Sequence, residues 1–207
     1  MRTARCSAPA GCKGSAVTAH FNKGRLRLAF LFSAPGAREH AARRPVAGVT
    51  GENLDFALGY LHSKRPDLFA SSERYAYRIT NAFSQPLARS RGDRASEARR
   101  DQIVENANIA RIKRELRGCD LVIVCGRKAQ LLSRLLSTPR RSVIDMPHIG
   151  NRALSTQYSG RRFSAPASPI ARRKLRARAW AEDLLRSLRA TQASKQVAGS
   201  PSRRHAT

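Results

Sequence analysis

Acidic side chains are scarce in this chain. Fourteen aspartates and glutamates stand against 40 lysines and arginines, for a formal charge of +26 and a pI near 11.7. That imbalance exceeds what solubility requires and fits a polyanionic partner, with nucleic acid the leading candidate. The plainer alternative is that arginines from a biased supply solvate helix faces. Long apolar runs are missing as well: Leu28 to Phe32 and Leu121 to Cys125 are the longest, far short of the ~20 residues of a membrane span. No membrane association is expected. The four cysteines contain no CxxC pair, since Cys6 and Cys12 lie near the N-terminus and Cys119 and Cys125 flank or occupy an apolar run. Ligand sets normally use tight local pairs, so reduced thiols are expected, with no metal and no cofactor. Residues 1–24 carry no acid and show neither an Arg-faced amphipathic helix nor a secretory apolar core. They read as a disordered basic tail, and residues 191–207 as a second tail.

What the chain does contain is an alternation of strand and helix signals over residues 25–190, enough for one domain. Leu26 to Phe32 reads as a strand, ending in the turn Ser33-Ala34-Pro35-Gly36. Gly51 to His62 follows with Leu54, Ala57, Leu58 and Leu61 at helical spacing. Tyr75 to Asn81 is rich in aromatic and β-branched residues and reads as a second strand. A helix marked by Ile103, Ala107, Ala110, Ile112 and Leu116 stops at Gly118. The unbroken Leu-Val-Ile-Val run from Leu121 has the pattern of a strand covered on both faces. A helix over 127–136, a strand over 142–146 and a helix beginning after Pro169 complete the series.

Such alternation predicts an α/β fold, a three-layer α/β/α sandwich around a central parallel sheet. Right-handed crossovers would bring the C-terminal ends of the strands to one edge. Ser33 to Gly36, Asn81, Gly126 and His148 would then share a rim.

Several pieces of this pattern resemble the uracil-DNA glycosylase superfamily, most closely its thermostable iron-sulfur branch, whose first motif runs G-E-A-P-G. The matching pieces are Phe32-Ser-Ala-Pro-Gly36, Glu39-His40, Arg44-Pro-Val-Ala-Gly48, Gly51-Glu-Asn-Leu54, Ile79-Thr-Asn81, Cys125-Gly-Arg-Lys-Ala129 and His148. The resemblance covers roughly residues 26–190. It implies a monomeric DNA-binding protein, cytoplasmic and nucleoid-associated. Such a protein would extrude uracil or another deaminated base and hydrolyse its N-glycosidic bond.

The resemblance also implies roles for residues. His148 would donate to the oxygen of the departing base. Asn81 would pair with the pyrimidine edge, offering a donor and an acceptor. Ala34, Pro35 and Gly36 would contribute the turn beneath the base, and Asn151 the leaving-group loop. Arg152, together with Arg172, Arg173 and Lys174 of a run in which five of seven residues are basic, would hold phosphates.

The chain departs from the family at four points, one of them His148-Ile-Gly-Asn151 in place of the family's H-P-S motif, which gives the leaving-group loop different chemistry. Ser33 stands where the family has its acid, and a hydroxyl cannot act as a carboxylate base, so its catalytic part would be to position water. Val46 replaces the aromatic stacking residue, whose contribution is about 1–3 kcal/mol per base. The cluster cysteines are missing. Glu39 or Asp145 are the candidates to replace the acid. Two further readings stay open: a catalytically inactive DNA- or nucleotide-binding module of the same fold, and a phosphate-binding enzyme acting on free nucleotides.

Overall fold

The structure is a computed structural model that describes residues 18–87 and 98–199. A five-stranded sheet forms its centre. In chain order the strands are β1 (Phe21–Asn22), β2 (Leu28–Phe32), β3 (Arg78–Asn81), β4 (Leu121–Cys125) and β5 (Ser142–Met146). They lie in the spatial order β1-β3-β2-β4-β5, and all neighbours are parallel except β1 with β3. β2 and β4 are central and buried at every residue, which is why both read as unbroken apolar runs rather than alternating ones.

Helices cover both faces of the sheet. On one face Leu28, Phe30, Phe32, Ile123 and Cys125 pack under α2 (Val49–Lys64), α7 (Asn151–Gln157) and α9 (Pro169–Gly199). Trp180, Leu184 and Leu188 of α9 interlock there with Leu54, Leu58 and Leu61 of α2. On the other face Ala29, Leu31, Val122 and Val124 pack under α3 (Arg100–Ile103), α4 (Asn106–Glu115), α5 (Arg127–Gln130) and α6 (Ser133–Leu136). The remaining short helices are α1 (Ala37–Ala42) and α8 (Arg161–Ser164).

Several elements differ from the sequence expectation for identifiable reasons. Phe21 and Asn22, assigned to the tail, pair with Thr80 and Ile79; two residues are too few to show a period. Most of that tail, residues 1–17, lies outside the described residues, as do 200–207, while residues 191–199 continue α9. The strand expected from Tyr75 begins at Arg78, because Arg74–Ala76 forms a 3-10 turn that sets Tyr77 edge-on to Phe30, with ring centroids 5.6 Å apart. The helix expected up to Gly118 is two. Asn108 closes the end of α3 by donating to the Ile103 carbonyl at 2.8 Å, and reaches the Ala82 carbonyl at 2.7 Å. α7 and α8 leave no helical period in the sequence because each buries a single side chain, Leu154 and Phe163.

Candidate functional site

A cleft of about 1200 Å³ opens at the C-terminal edge of the parallel strands. Its walls are Ser33–Gly36 after β2, Gly126–Lys128 after β4, and Pro147, His148 and Gly150 after β5, together with α7. In open α/β sheets this edge is the usual ligand position, because adjacent crossovers diverge there. The turn after β2 is pinned by the chain following β3: Phe83 donates to the Ser33 carbonyl and Leu87 to the Pro35 carbonyl, both at 2.9 Å.

His148 is the most tightly specified side chain in this cleft. The Met146 carbonyl accepts from the Gly126 amide and from Gln130 Nε2, each at 2.9 Å. The Pro147 carbonyl accepts from Trp180 Nε1 at 2.8 Å, and the Ile149 carbonyl from Asn53 Nδ2 at 2.9 Å. The imidazole sits edge-on to Phe32, centroids 5.8 Å apart. Gly126, at φ +97°, gives it room: a Cβ there would lie 3.1 Å from the His148 Cβ.

The ring's proton placement follows from its partner. Gly150 N–H donates to Nδ1 at 2.9 Å. A backbone amide can only donate, so Nδ1 is the acceptor and a neutral ring carries its proton on Nε2. Burial pushes the His148 pKa below its ordinary value, outweighing the nearby Glu39 charge, which acts upward. The site therefore presents a neutral imidazole whose Nε2–H is a fixed donor, able to stabilise negative charge developing on a bound oxygen.

The cleft is electropositive. Arg127, Lys128 and Arg152 line it, and no carboxylate does among the described residues. The two acids expected to compensate for Ser33 are engaged elsewhere. Glu39 accepts from the Gly36 amide at 3.0 Å and the Gly48 amide at 3.4 Å, tying together the starts of α1 and α2. This also occupies the N–H of Gly36, in the turn expected beneath the base. Asp145 is exposed and accepts from Ser133 Oγ at 2.5 Å.

The other expected residues divide clearly. Ser33, Ala34, Pro35, Gly36, His148, Asn151 and Arg152 line the cleft. Asn81 does not: it is 4% exposed at the end of β3, with its Cα opposite Phe32 and its carbonyl accepting from Arg111 at 2.9 Å. Val46 also lies outside the lining, packed into the α2–α9 core at 5% exposure. Its φ of +46° is an unusual conformation for a β-branched residue. Its carbonyl fills the space that a Cβ on Gly51 would need, 1.8 Å away.

In α9, Arg173 donates to Asn53 Oδ1 at 3.0 Å and pairs with Glu52 at 2.7 Å. Arg172 donates to the carbonyls of Pro166 and Ala167 at 2.9 and 3.0 Å. Lys174 is exposed, its ammonium 5.3 Å from the Phe56 ring centroid. None of the three lines the cleft.

Sequence reasoning missed Arg127 and Lys128 as cleft residues, although Gly126-Arg127-Lys128 directly after a buried strand carried the signal. Asn53 and Trp180 left no such trace, since each reads as one more position on a helix. No protein-family model and no curated protein matches the chain. No helix among the described residues is long and apolar enough to cross a membrane.

Proposed function

We propose that this chain binds DNA and excises uracil or another deaminated base by hydrolysing the N-glycosidic bond, within a fold related to that of the uracil-DNA glycosylases. The observation that carries this reading is the neutral Nε2–H imidazole of His148 at a strand-end cleft lined by cations and by the Ser33-Ala34-Pro35-Gly36 turn. In the reaction, water adds to the sugar C1′ while the glycosidic electron pair leaves with the base; the proton shed by the water passes to solvent, from which the released base anion takes one up. The leaving base gains negative charge on a carbonyl oxygen, and a fixed donor lowers the cost of that charge. Arg127 and Arg152 would hold the flanking phosphates. Ser33 would orient the water but cannot deprotonate it.

A second reading has its own support. With Ser33 at the acid position and both Glu39 oxygens accepting backbone amides, the chain would be a DNA- or nucleotide-binding module without catalysis. Incubation with uracil-, hypoxanthine- and xanthine-containing oligonucleotides, single- and double-stranded, followed by alkaline cleavage at abasic sites, separates the two. Product from any of them supports excision. No product alongside retained DNA binding favours the binding module, and Ser33→Glu then asks whether only the acid was missing. Titration with mononucleotides covers an enzyme of free nucleotides, which would bind them as tightly as duplex DNA.

A further inference from the structure

Asn53 lies on α2, 0% exposed, with no direct contact to the cleft. Its amide has two partners of opposite kind. Nδ2 donates to the Ile149 carbonyl at 2.9 Å and Oδ1 accepts from Arg173 Nε at 3.0 Å. A guanidinium can only donate and a carbonyl can only accept, so these partners fix the orientation of the amide. Asparagine supplies both functions at this length; the isosteric aspartate would set a second acceptor against the Ile149 carbonyl.

The Ile149 carbonyl and the Gly150 N–H belong to one peptide unit. That unit is planar and trans, so C=O and N–H point in opposite directions. Holding the oxygen on the α2 side therefore aims the N–H at His148 Nδ1, where it is found at 2.9 Å. The space is tight: a Cβ on Gly150 would stand 2.8 Å from Nδ1. Rotation of this peptide plane would withdraw the donor from Nδ1 and remove the preference for the proton on Nε2.

We propose that Asn53 is a positioning residue for His148, which sets the ring's tautomer by clamping the Ile149–Gly150 peptide plane, with Arg173 as the brace that fixes the amide. This concerns the same cleft as the proposed function, but it stands on geometry and can be read without any substrate.

The test is the tautomer of His148, from the ring 15N shifts and two-bond 1H–15N couplings of the full-length protein at neutral pH. The wild type should show a protonated Nε2 and an unprotonated Nδ1. In Asn53→Asp the loss of one buried hydrogen bond should move the tautomer ratio by about tenfold toward a mixture. Arg173→Met, a milder change at a partly exposed site, should move it in the same direction while the fold is kept, and it decides the matter if Asn53→Asp does not fold. Leu188→Ala, which opens a cavity in the α2–α9 core, should leave the pattern unchanged. The proposal is overturned if a folded Asn53→Asp or Arg173→Met retains the wild-type tautomer, or if Leu188→Ala loses it. Because the readout is spectroscopic, a protein that excises no base can still confirm it.

Discussion

The indole N–H of Trp180 donates to the carbonyl of Pro147 across 2.8 Å. The only tryptophan of the chain, near the middle of its longest helix, thus holds the residue preceding His148. Trp180→Phe keeps an aromatic ring but removes the donor. A loss of about 1–3 kcal/mol is expected from the hydrogen bond alone, measured by urea unfolding followed by far-UV circular dichroism. A loss below ~0.5 kcal/mol would show that the Pro147 carbonyl finds another partner.

Two glycines should respond in opposite directions to alanine. Gly126 has φ +97°, and its Cβ would approach His148 to 3.1 Å. Gly126→Ala should cost about 1–3 kcal/mol, because φ +97° with ψ 154° is a backbone region essentially confined to glycine, and should shift the imidazole. Gly59, exposed within α2, has nothing within 4 Å of its would-be Cβ. Gly59→Ala should therefore stabilise by about 0.5–1 kcal/mol through helix propensity. Thermal unfolding of the two variants beside the wild type checks both signs.

Acid should weaken the fold through His148. Its folded pKa is lowered from 6.5 by burial, so just below that pH the unfolded chain binds a proton that the folded chain does not. Stability is unaffected by this group well above pH 6.5 and falls as the pH drops from there toward the folded value, below which the loss is complete. His148→Gln should remove this portion of the pH dependence. An unchanged profile of unfolding free energy between pH 7 and pH 5 in the variant contradicts the assignment.

Glu115 supplies a second, lower acid limb. Burial raises its pKa, but hydrogen bonds from His20 and Thr80 and the Arg111 charge outweigh this and hold it below its ordinary value. Its contribution is present above pH 4.5 and is lost as the pH falls through the lowered folded value. Glu115→Gln should flatten the stability curve there while leaving the His148 limb in place.

If the chain binds DNA as proposed, the affinity should depend on Arg127 and Arg152 and not on Arg172. The first two line the cleft, while Arg172 donates to the carbonyls of Pro166 and Ala167. Each phosphate contact removed should reduce the slope of log K against log salt by about 0.9 on duplex DNA. Arg127→Gln and Arg152→Gln are each expected to do so, and Arg172→Gln to leave the slope as it was. Equal slopes for all three would remove the cleft from the DNA path.

The amino-acid sequence by itself determined the elements whose burial is large and continuous. Leu28–Phe32 and Leu121–Cys125 are central strands because no polar side chain interrupts them, and α2 shows its core face at helical spacing. Strand–helix alternation was enough to place the turn at Ser33 and the loop at His148 on one edge, where both are found. Only the tertiary structure decided which polar groups reach that edge. Asn81 was expected at the cleft with Val46, yet both are buried outside its lining, and burial of a single residue at a strand end or in a loop leaves no periodic signal. Arg173 reads as part of a basic stripe, but its guanidinium is fixed by Asn53 and Glu52, 120 and 121 residues away in the chain. The clamp on His148 joins residues from α2, α5 and α9, and a hydrogen bond between distant segments leaves no pattern in either segment alone.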